Sequence, residues 1–233
     1  MAHVEQAVRL ASRVSVNLET PSSEHLKRIA PEKQYEELIK PMRWACDLIR
    51  AGGRALVPSG QTTQLVVGAA GESDQEILSA AHRLYRDVDL RRVYFSAFQP
   101  IEGTPLAEQS ATSPLREHRL YQSDFLMRQY GFRFDDLIFE DKGYLPLDAD
   151  PKQVWADHHP EMFPLEVGQA SRSELLRVPG IGLKSATRIV NGRRQSSFRT
   201  LRDLERAGAV AQRAAPYILL GGKRPAYQLP LWK

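Results

Sequence analysis

Between Val178 and Ala186 the chain reads Val-Pro-Gly-Ile-Gly-Leu-Lys-Ser-Ala. Two glycines one residue apart, between helical runs, make a tight turn at which another molecule can approach the main chain closely. Pro179 stops the first helix, Ile181 turns into the core, and the N–H groups of Leu183, Lys184 and Ser185 open the next helix. Unpaired amides at the positive end of a helix dipole form an anion site, and with Lys184 beside it the natural ligand is a nucleic-acid phosphate. Gly180, Ile181, Gly182, Leu183, Lys184 and Ser185 are therefore the candidate contacts. Arg188, Arg193, Arg194 and Arg199 are placed to add to them, or else are solvated surface arginines. The same spacing also suits a hairpin that only packs helices. The stretch contains no nucleophile, base or metal set able to change a bond, so chemistry must be sought elsewhere.

Elsewhere means the ends of three apolar strands. Val14, Val16 and Leu18 alternate with Ser15, Asn17 and Glu19; Thr63 to Ala69 is nearly all apolar and runs into Gly68-Ala-Ala-Gly71-Glu72; Arg92 to Phe98 ends in Gln99-Pro100. Between them the spacing predicts a short helix capped by Ser22 or Ser23, a helix from Glu32 to Arg50 ended by Gly52-Gly53, and a helix to Arg86 opened by a Ser73/Glu76 capping box. Another helix follows from Leu115 to Tyr130, and one precedes the first strand with Val4, Ala7, Val8 and Ala11 on one face. Strand and helix alternate three times with connections long enough for parallel crossovers. In such sheets ligands sit at the carboxyl ends of the strands, where Asn17, Glu19, Gly68, Gly71, Glu72, Ser96 and Gln99 collect. Taken singly, Glu72 is equally a first-turn carboxylate and Gly71 a turn residue.

Net charge is +4, but it is divided: residues 165–233 hold 13 Lys and Arg against 4 Asp and Glu, whereas residues 1–164 hold 19 against 24. A field of +9 confined to the part carrying the glycine turn suits a polyanion partner. A single cysteine, Cys46, on an apolar stripe, excludes an internal disulfide and a thiolate cluster. No apolar run approaches a membrane span and the opening residues do not read as a signal peptide, so a cytoplasmic location is expected. Between the two parts, Pro146, Pro151, Pro160 and Pro164 break the pattern, with Trp155, Met162 and Phe163 expected as packing anchors. Asp157, His158, His159 and Glu161 do not converge in an extended segment, so no metal site is assigned.

Two resemblances follow. Leu175, Val178, Gly180, Ile181, Gly182, Ala186, Ile189 and Val190 resemble the helix-hairpin-helix pattern, and Leu201, Leu204, Gly208, Val210, Ala214 and Ile218 look like a weaker second copy with a degenerate turn at Ala207-Gly208-Ala209. Val-Asn-Leu-Glu-Thr, Val-Val-Gly-Ala-Ala-Gly-Glu and Phe-Gln-Pro-Ile-Glu-Gly-Thr-Pro-Leu resemble the last three strands of a radical S-adenosylmethionine partial barrel. More narrowly, the chain is similar to DNA modification or repair radical S-adenosylmethionine proteins that end in a helix-hairpin-helix and associate with a uracil-DNA-glycosylase-like partner.

That resemblance implies an α/β fold: half of a parallel partial barrel over 1–131, an irregular linker over 132–170, and a small all-α DNA-binding domain over 171–233. It implies that Asn17 and Glu19 face the ribose or methionine part of S-adenosylmethionine. Gly68, Gly71 and Glu72 would shape the adenosine site, bordered by Gln99. It departs from the family in one respect: the three closely spaced cysteines that hold a [4Fe–4S] cluster are absent. The resemblance then implies the carboxyl half of such a protein, from a truncated or split gene or a descendant without the radical chemistry. Its first strand would present an open edge for the missing half or for a second copy. The alternative is a non-enzymatic DNA-binding scaffold whose half-barrel docks a partner.

Overall fold

The computed structural model describes residues 1–52 and 56–227. Gly53, expected to end the long helix with Gly52, lies outside the described residues. The chain divides into two compact units, one of residues 1–124 and 139–147, the other of 125–138 and 148–233. Of the segment expected to be an irregular linker, 139–147 belongs to the first unit and the remainder to the second.

The first unit is α/β. Its helices are α1 (Ala2–Leu10), α2 (Ser23–Ile29), α3 (Tyr35–Gly52), α4 (Asp74–Asp87) and the start of α5 (Pro114–Gln129); its strands are β1 (Val14–Ser15), β2 (Gln61–Val67) and β3 (Arg92–Ala97). The strands form one parallel sheet in the order β1-β2-β3, with Val14 opposite Gln61 and Thr62 opposite Arg92. Leu18, Leu65, Ile77, Leu78, Met42 and Leu120 are sealed in its core. Local signals account for the helix starts: Ser22 caps α2, and Ser73 with Glu76 forms the complete capping box of α4. The Ser73 amide foremost, with its hydroxyl adding less than burial takes away, holds the Glu76 carboxyl below its usual range.

Two strands differ in extent from the sequence expectation. The first ladder is broken after Ser15, because the Thr63 hydroxyl takes the Leu18 N–H that a ladder carbonyl would otherwise accept; pairing resumes at Glu19 opposite Leu65. The second starts two residues earlier than its apolar run, since Gln61 and Thr62 are buried despite their polarity, Gln61 donating to the Val88 carbonyl. It stops at Gly68, whose φ of +89° leaves the strand region.

The second unit is helical, with α6 (Pro151–Asp157), α7 (Arg172–Arg177), α8 (Leu183–Gly192), α9 (Leu201–Arg206), α10 (Ala211–Ala214) and one short parallel pair, β4 (Leu165–Glu166) with β5 (Ile218–Leu219). Leu175, Ile181, Ala186, Ile189, Leu204, Ala214 and Ile218 share its main core. Trp155 is buried and packs with Leu126, Phe132 and Ala156, and Phe163 is half-buried against them. Met162 does not act as an anchor: it is 37% exposed on a single turn, Pro160–Met162, and the inward position falls to the following Phe163. Cys46 is buried on α3. Among the described residues no helix is long and apolar enough to cross a membrane.

Candidate nucleic-acid interface and strand-end loops

The turn between α7 and α8 is built by two glycines with different reasons to be glycine. Gly180 has φ +84°, and a Cβ there would lie 2.5 Å from the Val210 carbonyl oxygen. The Val210 amide in turn donates to the Gly180 carbonyl at 2.8 Å. Gly180 is thus demanded from inside, by its left-handed backbone and by the second turn packed on it. Gly182 is not. Its φ of −97° and ψ of 177° are open to any residue, and a Cβ would meet only the Tyr130 hydroxyl, at an ordinary 3.5 Å. A glycine with no internal cause leaves room for something outside.

Ile181 is buried, as its place in the turn predicts. Leu183 is half-buried, Lys184 exposed and the Ser185 side chain buried, so the last two differ in what they present even though their amides open one helix. No side chain of the N-cap residue closes that helix end. The Leu183 N–H faces the Tyr130 hydroxyl, whose pKa is raised by burial and partly lowered again by that amide. Arg188 and Arg194 are exposed, whereas Arg193 donates to the Ala170 carbonyl at 2.6 Å and is half-buried. Arg193 therefore ties α8 to the preceding segment.

The second turn repeats the first. Gly208 also has φ +84°, Ala209 behind it is buried, and Thr200 with Asp203 caps α9 as Ser171 with Glu174 caps α7. Val210, one residue before α10, stands where Gly182 stands before α8, and it is 56% exposed. The Arg188 guanidinium lies 3.1 Å from where a Gly208 Cβ would be. Sequence reasoning missed Lys152 and Tyr130 here. Lys152 is buried and donates from Nζ to the Ile181 carbonyl at 2.6 Å, with the Tyr130 ring 4.9 Å away. A lysine at the second position of a helix carries no signal of burial.

At the strand ends the predicted residues divide between loop construction and open surface. The Glu72 carboxylate is fully buried and accepts the N–H groups of Gly68 and, at 3.0 Å, Ala70. A Cβ on Gly68 would stand 2.0 Å from the Thr112 hydroxyl, which itself donates to the Val67 carbonyl at 2.8 Å. Beside them Asp74 pairs with Arg116 at 2.7 Å and accepts the Leu145 amide at 2.9 Å, while Arg116 also donates to the Glu72 carbonyl. Glu72 and Gly68 are thus spent on the loop. Asn17 is exposed, its side-chain oxygen accepting from Ser15, and Glu19 is half-buried with Lys33 3.6 Å away. Glu19 is also a non-glycine residue at φ 65°, held there by hydrogen bonds on both sides to Gln64 and Val66. Backbone strain retained at a strand end is what functional positions show. Gly71, at φ +75°, has only Arg28 near a would-be Cβ, and exposed Gln99 reaches the Thr112 carbonyl at 3.3 Å.

The histidines expected to point apart each hold a backbone carbonyl, His158 that of Val154 and His159 that of Trp155, both at 2.8 Å. Among the described residues no three His, Cys, Asp or Glu side chains gather as a metal set.

No protein-family model matches the chain, and no solved structure does. Weak similarity joins it to five curated proteins, each named tRNA-2-methylthio-N(6)-dimethylallyladenosine synthase. That of Bacillus subtilis is 27% identical over 122 residues, that of Geobacillus thermodenitrificans 25% over 122, and that of Bacillus mycoides 24% over 124. About half of this chain (52%) is covered, but the chain spans only about a fifth (22–23%) of the length of these three relatives. Such distant likeness to modification enzymes fits a relative of the radical S-adenosylmethionine class.

Proposed function

We propose that the chain is part of a radical S-adenosylmethionine-type protein that acts on nucleic acid, and that its second unit delivers it by gripping the phosphate backbone without reading sequence. The observation that carries the delivery is Gly182: neither its backbone nor its neighbours inside the protein require a glycine, and the helix end beside it, which no N-cap side chain closes, bears an exposed lysine. A phosphodiester pressed against the turn explains both. The three parallel strands and the similarity to tRNA-modifying synthases support the catalytic affiliation.

The residues present do not fit a [4Fe–4S] cluster. Cys46 is the single cysteine and is buried on a helix, whereas a cluster needs several convergent thiolates. No radical step is therefore assigned to this chain. For S-adenosylmethionine, Asn17, Glu19, Gly71 and Gln99 remain presentable at the strand ends as ribose or adenine contacts, and Glu72 and Gly68 act behind them by holding the loop.

Duplex DNA is the ligand that the hairpin resemblance favours; structured RNA is the second reading, favoured by the names of the relatives. Fluorescence anisotropy with a short labelled DNA duplex and a labelled transfer RNA, each titrated with the chain, separates them. Gly182→Ala is expected to fold with unchanged or slightly raised stability and to bind the preferred ligand about tenfold more weakly. Gly182→Ala binding as tightly as the parent would remove the basis for the interface.

A further inference from the structure

The proposed interface has a back as well as a front. We propose that Lys152 is a positioning residue of the hairpin, holding the turn for the phosphate backbone from inside the protein without touching the ligand. The inference rests on the reading of the turn as a nucleic-acid contact and extends it to regulation of that contact by pH.

Lys152 lies on α6, outside either hairpin, yet its Nζ donates at 2.6 Å to the carbonyl of Ile181, the residue between the two glycines. That carbonyl belongs to the peptide whose N–H is on Gly182. A cation on the oxygen polarises the peptide unit and makes its amide a better donor. The ammonium also adds a positive charge beneath the helix end that the dipole already makes positive. The residue is 8% exposed, so its charge is little screened by water.

The groups that face it come from every element packed around it. The Tyr130 ring, just after α5, lies 4.9 Å from Nζ and favours the cation. Asp150 at the start of α6 favours it as well, while Arg213 of α10 and Arg177 of α7 oppose it. Asp150 is itself shared, accepting from Arg213 and capping α6 through the amides of Lys152 and Gln153. Arg177 is drawn off towards Asp136, 3.0 Å away, and lies over the Phe132 and Trp155 rings. Burial outweighs these neighbours and brings the Lys152 amine down to about 7. The brace thus changes charge close to neutrality, where nearly all other lysines remain cationic.

A brace behind a contact differs from a contact in its salt dependence. A lysine on a phosphate contributes close to one unit to the log–log slope of affinity against salt; a lysine behind the turn changes affinity and leaves the slope alone. The test uses the full 233-residue chain, a short labelled DNA duplex and a labelled transfer RNA, with anisotropy measured over a salt series and between pH 6 and 8. Lys152→Met, similar in length and without the donor, is expected to weaken binding roughly fivefold to tenfold at pH 6 with an unchanged salt slope. It is also expected to erase a decline in the parent's affinity across neutrality. Lys152→Arg, whose charge does not titrate, is expected to keep the low-pH affinity and lose the decline.

If Lys152→Met binds like the parent at both pH values, the brace is overturned while the interface stands. A reduced salt slope for Lys152→Met would also overturn it, by making the residue a contact. If the parent binds neither nucleic acid, the interface itself falls, and the brace with it. Should Lys152→Met melt too low to assay, the Arg variant decides: a pH decline as steep as the parent's overturns the inference.

Discussion

Residue-scale effects are clearest where a buried polar group has a defined set of partners. Glu72 is expected to be structural: replacing it with alanine leaves the Gly68 and Ala70 amides without their carboxylate, at about 1–3 kcal/mol for each buried donor. Glu72→Ala should therefore lower the melting temperature of the first unit by several degrees, and Glu72→Gln, which keeps one acceptor, by less; differential scanning calorimetry checks the order. Lys152 offers a second measurement. Its folded pKa, about 7, lies below its ordinary value of 10.5, so between those values the unfolded chain binds more protons than the folded one. Stability of the second unit should rise as pH increases through that window, at no more than about 1.4 kcal/mol per pH unit, and be at its lowest below it. Lys152→Met should flatten the rise in urea melts taken across the window. Both residues show what the sequence leaves unreadable. The capping pairs at Ser73 and Glu76 are legible because partner and spacing lie within one turn. Glu72 turns back onto the amides of a non-helical loop and Lys152 reaches across to residue 181, and no helical spacing reports either.

At the scale of elements, the two sides of the three-stranded sheet are treated differently. Along β3 the N–H groups of Val93, Phe95 and Ala97 are taken by the Tyr85 hydroxyl, the Tyr121 hydroxyl and the Glu117 carboxylate. Side chains from α4 and α5 thus seal the edge to strand addition. Beside β1 there is instead a groove of about 200 Å³ lined by Val4, Ala7, Val8, Val14 and Val16. If β1 is where the sheet is extended, by another polypeptide or a second copy, sedimentation velocity should show concentration-dependent self-association of the chain at micromolar levels, and Val16→Lys should suppress it. Tyr121→Phe with Glu117→Ala should create a second association route at β3, seen as faster aggregation on mild heating. A sharp monomer for the parent at every concentration would count against an open β1. The alternation of strand and helix was readable because apolar runs and caps recur in order. The seal on β3 is not, since it is made by Tyr85 of α4 with Tyr121 and Glu117 of α5, polar groups on two helices whose sequence pattern does not report which strand they meet.

For the whole molecule, the charge division of +9 over 165–233 against −5 over 1–164 gives binding a direction and a salt signature. Phosphate contacts through Lys184, Arg188 and Arg194 should produce a slope of about −3 in log affinity against log salt, with little preference among duplex sequences. Domain limits are a sharper matter, because the chain enters the second unit at 125, leaves it for 139–147 and returns at 148. A fragment of 171–233, cut where the basic domain reads as beginning, carries both glycine turns. It lacks β4, which pairs with β5 through Leu165 opposite Ile218, and it lacks Val167 and Ala170 from the core. It also lacks Trp155 and the Lys152 bond to Ile181. Burying a large side chain contributes roughly 1.5–3 kcal/mol, comparable with a sizeable share of a small unit's entire stability. The 171–233 fragment is therefore expected to be poorly folded, and 148–233 to recover much of the helical signal and a cooperative melt by circular dichroism. Adding 125–138, which supplies Leu126, Tyr130 and Phe132, should raise the melting point again. Equal melts for all three would mean that the two hairpins fold by their own core, and that the segment ahead of them serves the ligand or a partner instead.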